Sequence, residues 1–375
     1  MSISSQHLED MASRHVRWAM DMQRRPELDA KNSPYASVNN PRWFQGGEPT
    51  PDRSDFHDQL MRDLVANAPN VGQDKHAVVL AGPPGAGKSR IMQDSDYYAN
   101  IPGYDPDTFI SIDADYFKER ILTRASSDGS LHRDLKPDFV KDLEESGEVF
   151  GPLEFASLVH EESSTLAKRA REFCVDQGYN IVVDTVLSSA SSAEAIGDLL
   201  QRNGYSVSVV DVEIPADVSK EAVAHRWQTG YMGMLKGDPD QALGGRWVPS
   251  EYVDGVFGNG QSQPRANAEK LATEYSNVKT YQVYERQSAV ANPEMVDAKQ
   301  RKVIGAPLES AKHDSVATGK DATLGLDPQT QAALELIRKS RSPKTTNQQG
   351  TPADPSRRDF SSQSLRNDRS QGHER

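Results

Sequence analysis

Short runs of consecutive apolar residues, separated by helix-length stretches of mixed character, dominate the middle of the chain. His76–Ala81, Thr108–Ile112, Tyr179–Asp184, Tyr205–Glu213 and Val278–Tyr284 read as strands, because unbroken Val- and Ile-rich runs suit strands covered on both faces. Between them, Leu153–Gln177, Ser192–Asn203 and Val218–Tyr231 carry apolar positions at helical spacing. The alternation predicts an α/β fold with a doubly wound parallel sheet and helices on both faces. Ahead of the first strand, Leu8, Met11, Val16 and Met20 predict a helix near residues 5–25. An irregular stretch, NSPYASVNNPRWFQGGEPTPDRS, and a second amphipathic segment, DFHDQLMRDLVANA, follow it.

Beyond about Arg286 the strands are expected to stop. DPQTQAALELIRKSR predicts one short helix near 328–340, with Asp327 as cap and Pro328 in the first turn. After Ser342 there is too little apolar material to offset the entropy of ordering, and disorder is expected. The expected organisation is an N-terminal helical and irregular extension over 1–70, a core domain over 71–287 and a polar tail over 288–375, with no internal repeat.

A net charge of -12 argues against nucleic acid or an anionic membrane as partner, so any phosphate site must be a local positive pocket. The single cysteine, Cys174, excludes an internal disulfide, fits a reducing compartment and reads as a small core residue. No run of about twenty apolar residues occurs, and charges interrupt the N-terminal apolar positions. A soluble, cytoplasmic protein is expected. The histidines show no zinc-type spacing.

The strand at His76–Ala81 runs into Gly82-Pro83-Pro84-Gly85-Ala86-Gly87-Lys88-Ser89, which satisfies G-x-x-x-x-G-K-[ST] in the required order of strand, loop and helix. Glycines let backbone N–H groups approach a phosphate, and the following helix turns the positive end of its dipole there. Lys88 can reach the outer phosphates of ATP or GTP, and the Ser89 hydroxyl can take one position on a hydrated Mg²⁺. The fold expectation sharpens to a P-loop NTPase-type sheet.

The second strand ends in FISIDADYFKERIL, placing Asp113 and Asp115 at its carboxyl end beside the phosphate loop. Alternation puts one carboxylate toward metal and phosphates and the other in the turn, or both around the triphosphate. A kinase needs one carboxylate to accept the acceptor's proton, and Asp115 is favoured for it. The competing reading is that both merely cap the next helix. Arg226 in EAVAHRWQTGYM and Arg246 in ALGGRWVPSEY read as solvated arginines or as forks that disperse charge on a moving phosphoryl group. HRDLKPDF, His132 to Phe139, looks like a protein-kinase catalytic loop, but Phe139 stands where its metal-binding Asn belongs; it reads as a loop leading into a helix near Pro137.

Taken together, IDADYFK, DQGYNIVVDT, the helix carrying HRW and the Arg loop continuing into VPSEYV resemble the zeta toxins, the kinase half of epsilon/zeta toxin–antitoxin systems, over roughly Ala77 to Tyr284. The resemblance implies phosphorylation of a UDP-N-acetylglucosamine hydroxyl and restraint by an antitoxin protein. It implies Lys88 and Ser89 at the phosphates and Mg²⁺, Asp115 as base, and Arg226 with Arg246 as phosphate clamps; Asp113, from its place at the strand end, is the further metal ligand expected. Asp115, Lys118, Glu162 and Thr185 are the implied acceptor contacts, Glu162 being preferred over Glu161 by motif alignment. Some relatives read Glu-Gly-Thr after the third strand where this chain has Asp184-Thr185-Val186, which puts the acceptor in question. Asp184 reads as a Mg²⁺ neighbour or as a strand-end cap. A kinase for another nucleotide-sugar, nucleoside or antibiotic hydroxyl, and a non-catalytic NTP-binding switch, remain as alternatives.

Overall fold

The computed structural model describes residues 5–22, 24–258, 262–303 and 305–311; the helix expected near 328–340 and the polar tail beyond it lie outside the described residues. Helix α1 (Ser5–Met22) is followed by a small hairpin of β1 (Phe44–Gln45) and β2 (Glu48–Pro49) and by α2 (Pro51–Ala66). β3 (His76–Ala81) leads through the glycine turn into α3 (Lys88–Gln93) and α4 (Ser95–Tyr98). β4 (Ile110–Ile112), α5 (Ala114–Ser127), α6 (Asp138–Glu145) and α7 (His160–Asp176) precede β5 (Ile181–Asp184) and α8 (Ala190–Arg202). β6 (Ser206–Glu213), α9 (Ala216–Lys236), α10 (Ser250–Val256) and α11 (Gln263–Glu274) precede β7 (Val278–Glu285), β8 (Glu294–Gln300) and β9 (Glu309–Ser310).

The larger sheet has order β4-β5-β3-β6-β7-β8-β9. β4 through β7 pair in parallel, in register from Ala77↔Ile181 on one side of β3 to His76↔Ser206 on the other. Both faces of β3 are buried: Ala77, Val79 and Ala81 join one apolar cluster, and Val78 and Leu80 join the other. This is why the strand shows no polar alternation. The chain leaves β5 on one side of β3 and re-enters as β6 on the other, so a crevice opens at the carboxyl end of β3, where the glycine turn lies. Cys174 sits in the first cluster, its thiol pushed up to about 12 by burial, as befits a core residue.

Two expectations need correcting. The strands do not stop at Arg286: β8 pairs antiparallel with β7, and β9 with β8. β8, EMVDAKQ, buries only Ala298, and a strand so little covered lacks the apolar run that marks the parallel strands. The helix expected from Leu153 begins at His160, because Pro152–Val159 winds as a 3₁₀ segment whose Leu153 N–H bonds the Leu243 carbonyl at 2.9 Å. HRDLKPDF forms a wide turn over Leu131–Leu135 that leads into α6. Among the described residues, no helix is long and apolar enough to cross a membrane.

Candidate active site

Gly82 follows β3 with φ 138°, and a Cβ there would strike the Val212 carbonyl, so only glycine lets the loop cross β6 this closely. The loop carbonyls are held from outside. Ser219 Oγ on α9 donates to Pro84 O at 2.7 Å, Arg286 Nη1 donates to Gly85 O at 3.0 Å, and Lys88 Nζ donates to Gly82 O at 3.1 Å. Gly87, at φ 96°, then starts α3.

That cleft measures about 680 Å³ and is lined by Pro83, Gly85, Ala86, Gly87, Lys88 and Ser89 of the loop. Asp113, Asp115, Lys118, Asp184, Thr185, Arg226 and Arg246 line the same space. Of the loop residues expected at the nucleotide, Gly82 and Pro84 lie behind the turn rather than on its lining.

Asp113 is the N-cap of α5, its Oδ1 accepting from the Asp115 N–H at 2.9 Å. Capping and facing the cleft are therefore not exclusive roles for this residue. Burial, then the charges of Asp115 and Asp184, push the Asp113 carboxyl up to about 7. Asp184 is likewise raised, by burial first, with Lys88 at 3.7 Å working against the shift. Asp115 goes the other way. Burial alone would raise it, but Arg246 and Lys118 outweigh that and hold it well below the usual carboxylate range. Lys118 Nζ donates to Asp115 Oδ1 at 2.8 Å, and Arg246 Nη1 donates to Oδ2. The cleft pairs Asp115 with Lys118 and Arg246 and sets Lys88 near Asp184, and with Arg226 and Arg286 on the same lining its cations outnumber its carboxylates.

Glu162 is a correction. It does not line the cleft but is 1 % exposed, gripped by Arg53 through Nε and Nη2 at 2.6 and 2.7 Å and by His57 Nε2 at 2.6 Å. Those contacts draw its carboxyl down to about 2 despite burial. The partners come from α2, more than a hundred residues away, which motif alignment within the core domain has no means of seeing. Thr185 does line the cleft, its Oγ1 accepting from the Leu187 N–H at 3.1 Å. Sequence reasoning missed His160, Ser189, Tyr252 and Arg286, which share the lining. Arg286 had a legible signal, since it lies just past the carboxyl end of the last expected parallel strand, after Glu285.

Ser89, Asp113 and Asp184 present hard oxygen donors, but among the described residues no group of three or more His, Cys, Asp or Glu side chains forms a preset metal cage. That donor set suits Mg²⁺, which keeps most of its waters and takes one or two protein oxygens beside phosphate.

A family model described as Zeta toxin matches residues 62–293. Among solved structures, the AvrRxo1-ORF1:AvrRxo1-ORF2 complex with sulphate ions aligns at 19 % identity and TM-score 0.50, covering 77 % of this chain and 86 % of that one. The AvrRxo1-ORF1:-ORF2 complex with ATP aligns at 20 % identity and TM-score 0.50 with the same coverage. The PezAT toxin-antitoxin system of Streptococcus pneumoniae aligns at 15 % identity and TM-score 0.40, covering 64 % of this chain and 79 % of that one. No curated protein sequence matches the chain.

Proposed function

The chain belongs to the zeta toxin family of kinase-like phosphotransferases, and we propose that it moves the γ-phosphoryl group of ATP or GTP to a hydroxyl of UDP-N-acetylglucosamine. One observation carries the reading. Lys88 of the phosphate loop, Asp115 in the first turn of α5, Arg226 on α9 and Arg246 in the following loop, distant in sequence, line a single cleft. A phosphate grip, a proton acceptor and charge-dispersing guanidiniums are what in-line transfer requires, and mere nucleotide binding has no use for the last two.

In the proposed step the acceptor oxygen attacks the γ-phosphorus, its proton passes to an Asp115 oxygen, and the bond from the γ-phosphorus to the bridging oxygen breaks, leaving the nucleoside diphosphate. Asp115 is a poor proton acceptor while Arg246 and Lys118 both bond it. A triphosphate in the loop competes for Arg246, and each contact it takes raises the basicity of Asp115. Ser89 and Asp113 would hold Mg²⁺, which supplies charge neutralisation at the phosphates. The negative potential of ligated phosphates also favours the imbalance in which Lys88 leaves Asp184 for the nucleotide. As a toxin, the chain would be restrained by an antitoxin protein.

The test is incubation with Mg·ATP or Mg·GTP and UDP-N-acetylglucosamine, with the sugar nucleotide examined by mass spectrometry for one added phosphoryl group. Nucleotide turnover indifferent to every hydroxyl acceptor would sink the kinase reading in favour of a switch. A second reading, transfer to another nucleotide-sugar, a nucleoside or an antibiotic hydroxyl, is favoured by the engagement of Glu162 with Arg53 and His57, which removes one acceptor contact implied by the resemblance. A hydroxyl-acceptor screen in the same assay separates the two.

A further inference from the structure

His15 lies on α1, outside the residues matched by the family model, yet it is fully buried. Its ring stacks on Tyr231 at 4.5 Å and 3° and meets Phe150 edge-on at 4.6 Å. Nε2 lies 2.9 Å from Glu154 Oε1 and Nδ1 lies 3.4 Å from Glu148 Oε2. With a carboxylate at each ring nitrogen, both nitrogens donate, which is the bonding pattern of an imidazolium. Burial opposes that charge most strongly, but Glu154 and then Glu148 overcome it and the pKa is raised. Tyr231 on α9, the two glutamates before α7, and Arg14 on α1 itself are the titratable or charged groups around it.

Glu154 does more than hold His15. It also accepts from the Gly151 N–H at 2.8 Å and from Trp227 Nε1 at 3.3 Å. Trp227 is the residue after Arg226, and its carbonyl is covered by Gly245, the residue before Arg246; a Cβ on Gly245 would collide with that carbonyl. Gly230 meets the Gly244 carbonyl on the same face of α9, and Trp247 packs edge-on against Trp227 at 5.1 Å. The Leu153 N–H ties the near end of the same loop through Leu243 O at 2.9 Å. A continuous path of contacts therefore runs from His15 through Glu154 and Trp227 to the backbone that carries both cleft arginines.

We infer that His15 is a positioning residue for the phosphoryl-transfer site, and that α1 is a brace, held by this histidine, which sets α9 and the Arg246 loop. The inference rests on the reading of Arg226 and Arg246 as the groups that disperse transferring charge. A brace of this kind acts at Trp227 and Tyr231, about two turns along α9 from Ser219, and the glycine turn keeps an anchor off α9 in Arg286, so placement of the arginines is affected before the turn is.

In the full chain, His15→Gln is expected to speed amide exchange about tenfold in segments 226–231 and 243–247 while segment 82–89 keeps parental protection. Turnover is expected to fall about tenfold with the KM for Mg·ATP changed by less than about threefold. Glu148→Gln removes only the partly exposed carboxylate and serves where His15→Gln folds poorly. Because the folded histidine has a raised pKa, the brace is complete below the ordinary value of 6.5 and is lost as pH rises through the raised one. Glu148→Gln should therefore move the alkaline loss of protection in 226–231 and 243–247 to lower pH. Parental exchange in both segments for both variants overturns the inference, and so does equal loosening of 82–89, which would make α1 a general stabiliser. Were the parent to transfer phosphate to no hydroxyl, the kinase reading would fail by itself and the exchange measurements would still decide whether α1 is the brace.

Discussion

Asp115→Asn is expected to abolish transfer and yet to tighten nucleotide binding. The first half follows from chemistry: an amide cannot take the acceptor's proton, and loss of a general base costs about 10²–10⁴-fold in turnover. The second half follows from the partner of Arg246. Arg246 is engaged by Asp115, so the incoming triphosphate must break that ion pair before it can use the guanidinium. The pair is partly open to water, with side chains 27 % and 34 % exposed, so solvent screening confines its strength to about 1 kcal/mol at most. Removing the carboxylate's charge returns that amount to nucleotide binding, a gain of up to about fivefold in affinity, since 1.4 kcal/mol is tenfold. Isothermal titration of the variant with Mg·ATP gives the affinity, and mass-resolved product formation gives the rate. Parent-like transfer by the Asn variant would remove Asp115 as base. Weaker binding than the parent would refute the competition between carboxylate and phosphate for Arg246.

Lys88→Ala should weaken both nucleotide affinity and transfer, because its ammonium is a grip used before and during the reaction; unchanged affinity by titration would contradict this. Gly245→Ala should lower turnover about tenfold or more by forcing the Arg246 loop off the Trp227 carbonyl, with little change at the glycine turn; a parental turnover number would refute it. Glu162→Gln should cost about 3–5 kcal/mol in urea unfolding at pH 7, because it leaves Arg53 buried without a counter-charge. With a folded pKa of about 2 against 4.5 for the ordinary residue, the stability that Glu162 contributes is present above 4.5 and lost as pH falls through about 2. The variant should therefore show a flatter acid limb than the parent, and identical limbs would count against the assignment.

The parallel core of the fold was legible because each buried strand writes an apolar run, and the phosphate loop because its glycines and Lys88 serve one narrow purpose. Asp113, Asp115, Arg226 and Arg246 were legible as candidates from their settings, and the fold brings them to one cleft. What was hidden is of a different kind. β8 lies beside the short edge strand β9 and is mostly unburied, so its pattern does not separate it from loop. The engagement of Glu162 by Arg53 and His57 is a tertiary pairing across more than a hundred residues, and no local pattern encodes it. The brace at His15 is hidden for the same reason: a histidine on an amphipathic helix says nothing about the carboxylates that will meet it.

The ion pairs of the cleft make one physical arrangement. Lys88 lies against Asp184, Arg246 and Lys118 bond Asp115, and the carboxylate most lacking a cation, Asp113, has its pKa pushed up to about 7. Arg226 and Arg286 share the lining, so the cations outnumber the carboxylates and a positive field remains to draw a polyphosphate. Arg246 and Lys118 hold Asp115 well below the usual carboxylate range, which makes the proposed base a poor one while both cations bond it. In the proposed reaction a triphosphate would offer negative oxygens to Lys88 and Arg246, and Ser89 and Asp113 would hold Mg²⁺, while the pair of Lys118 with Asp115 stays. Basicity at Asp115 would then rise only with the donor phosphate already in the loop, which would couple proton acceptance to the presence of the group to be transferred and disfavour stray chemistry on an acceptor that binds alone.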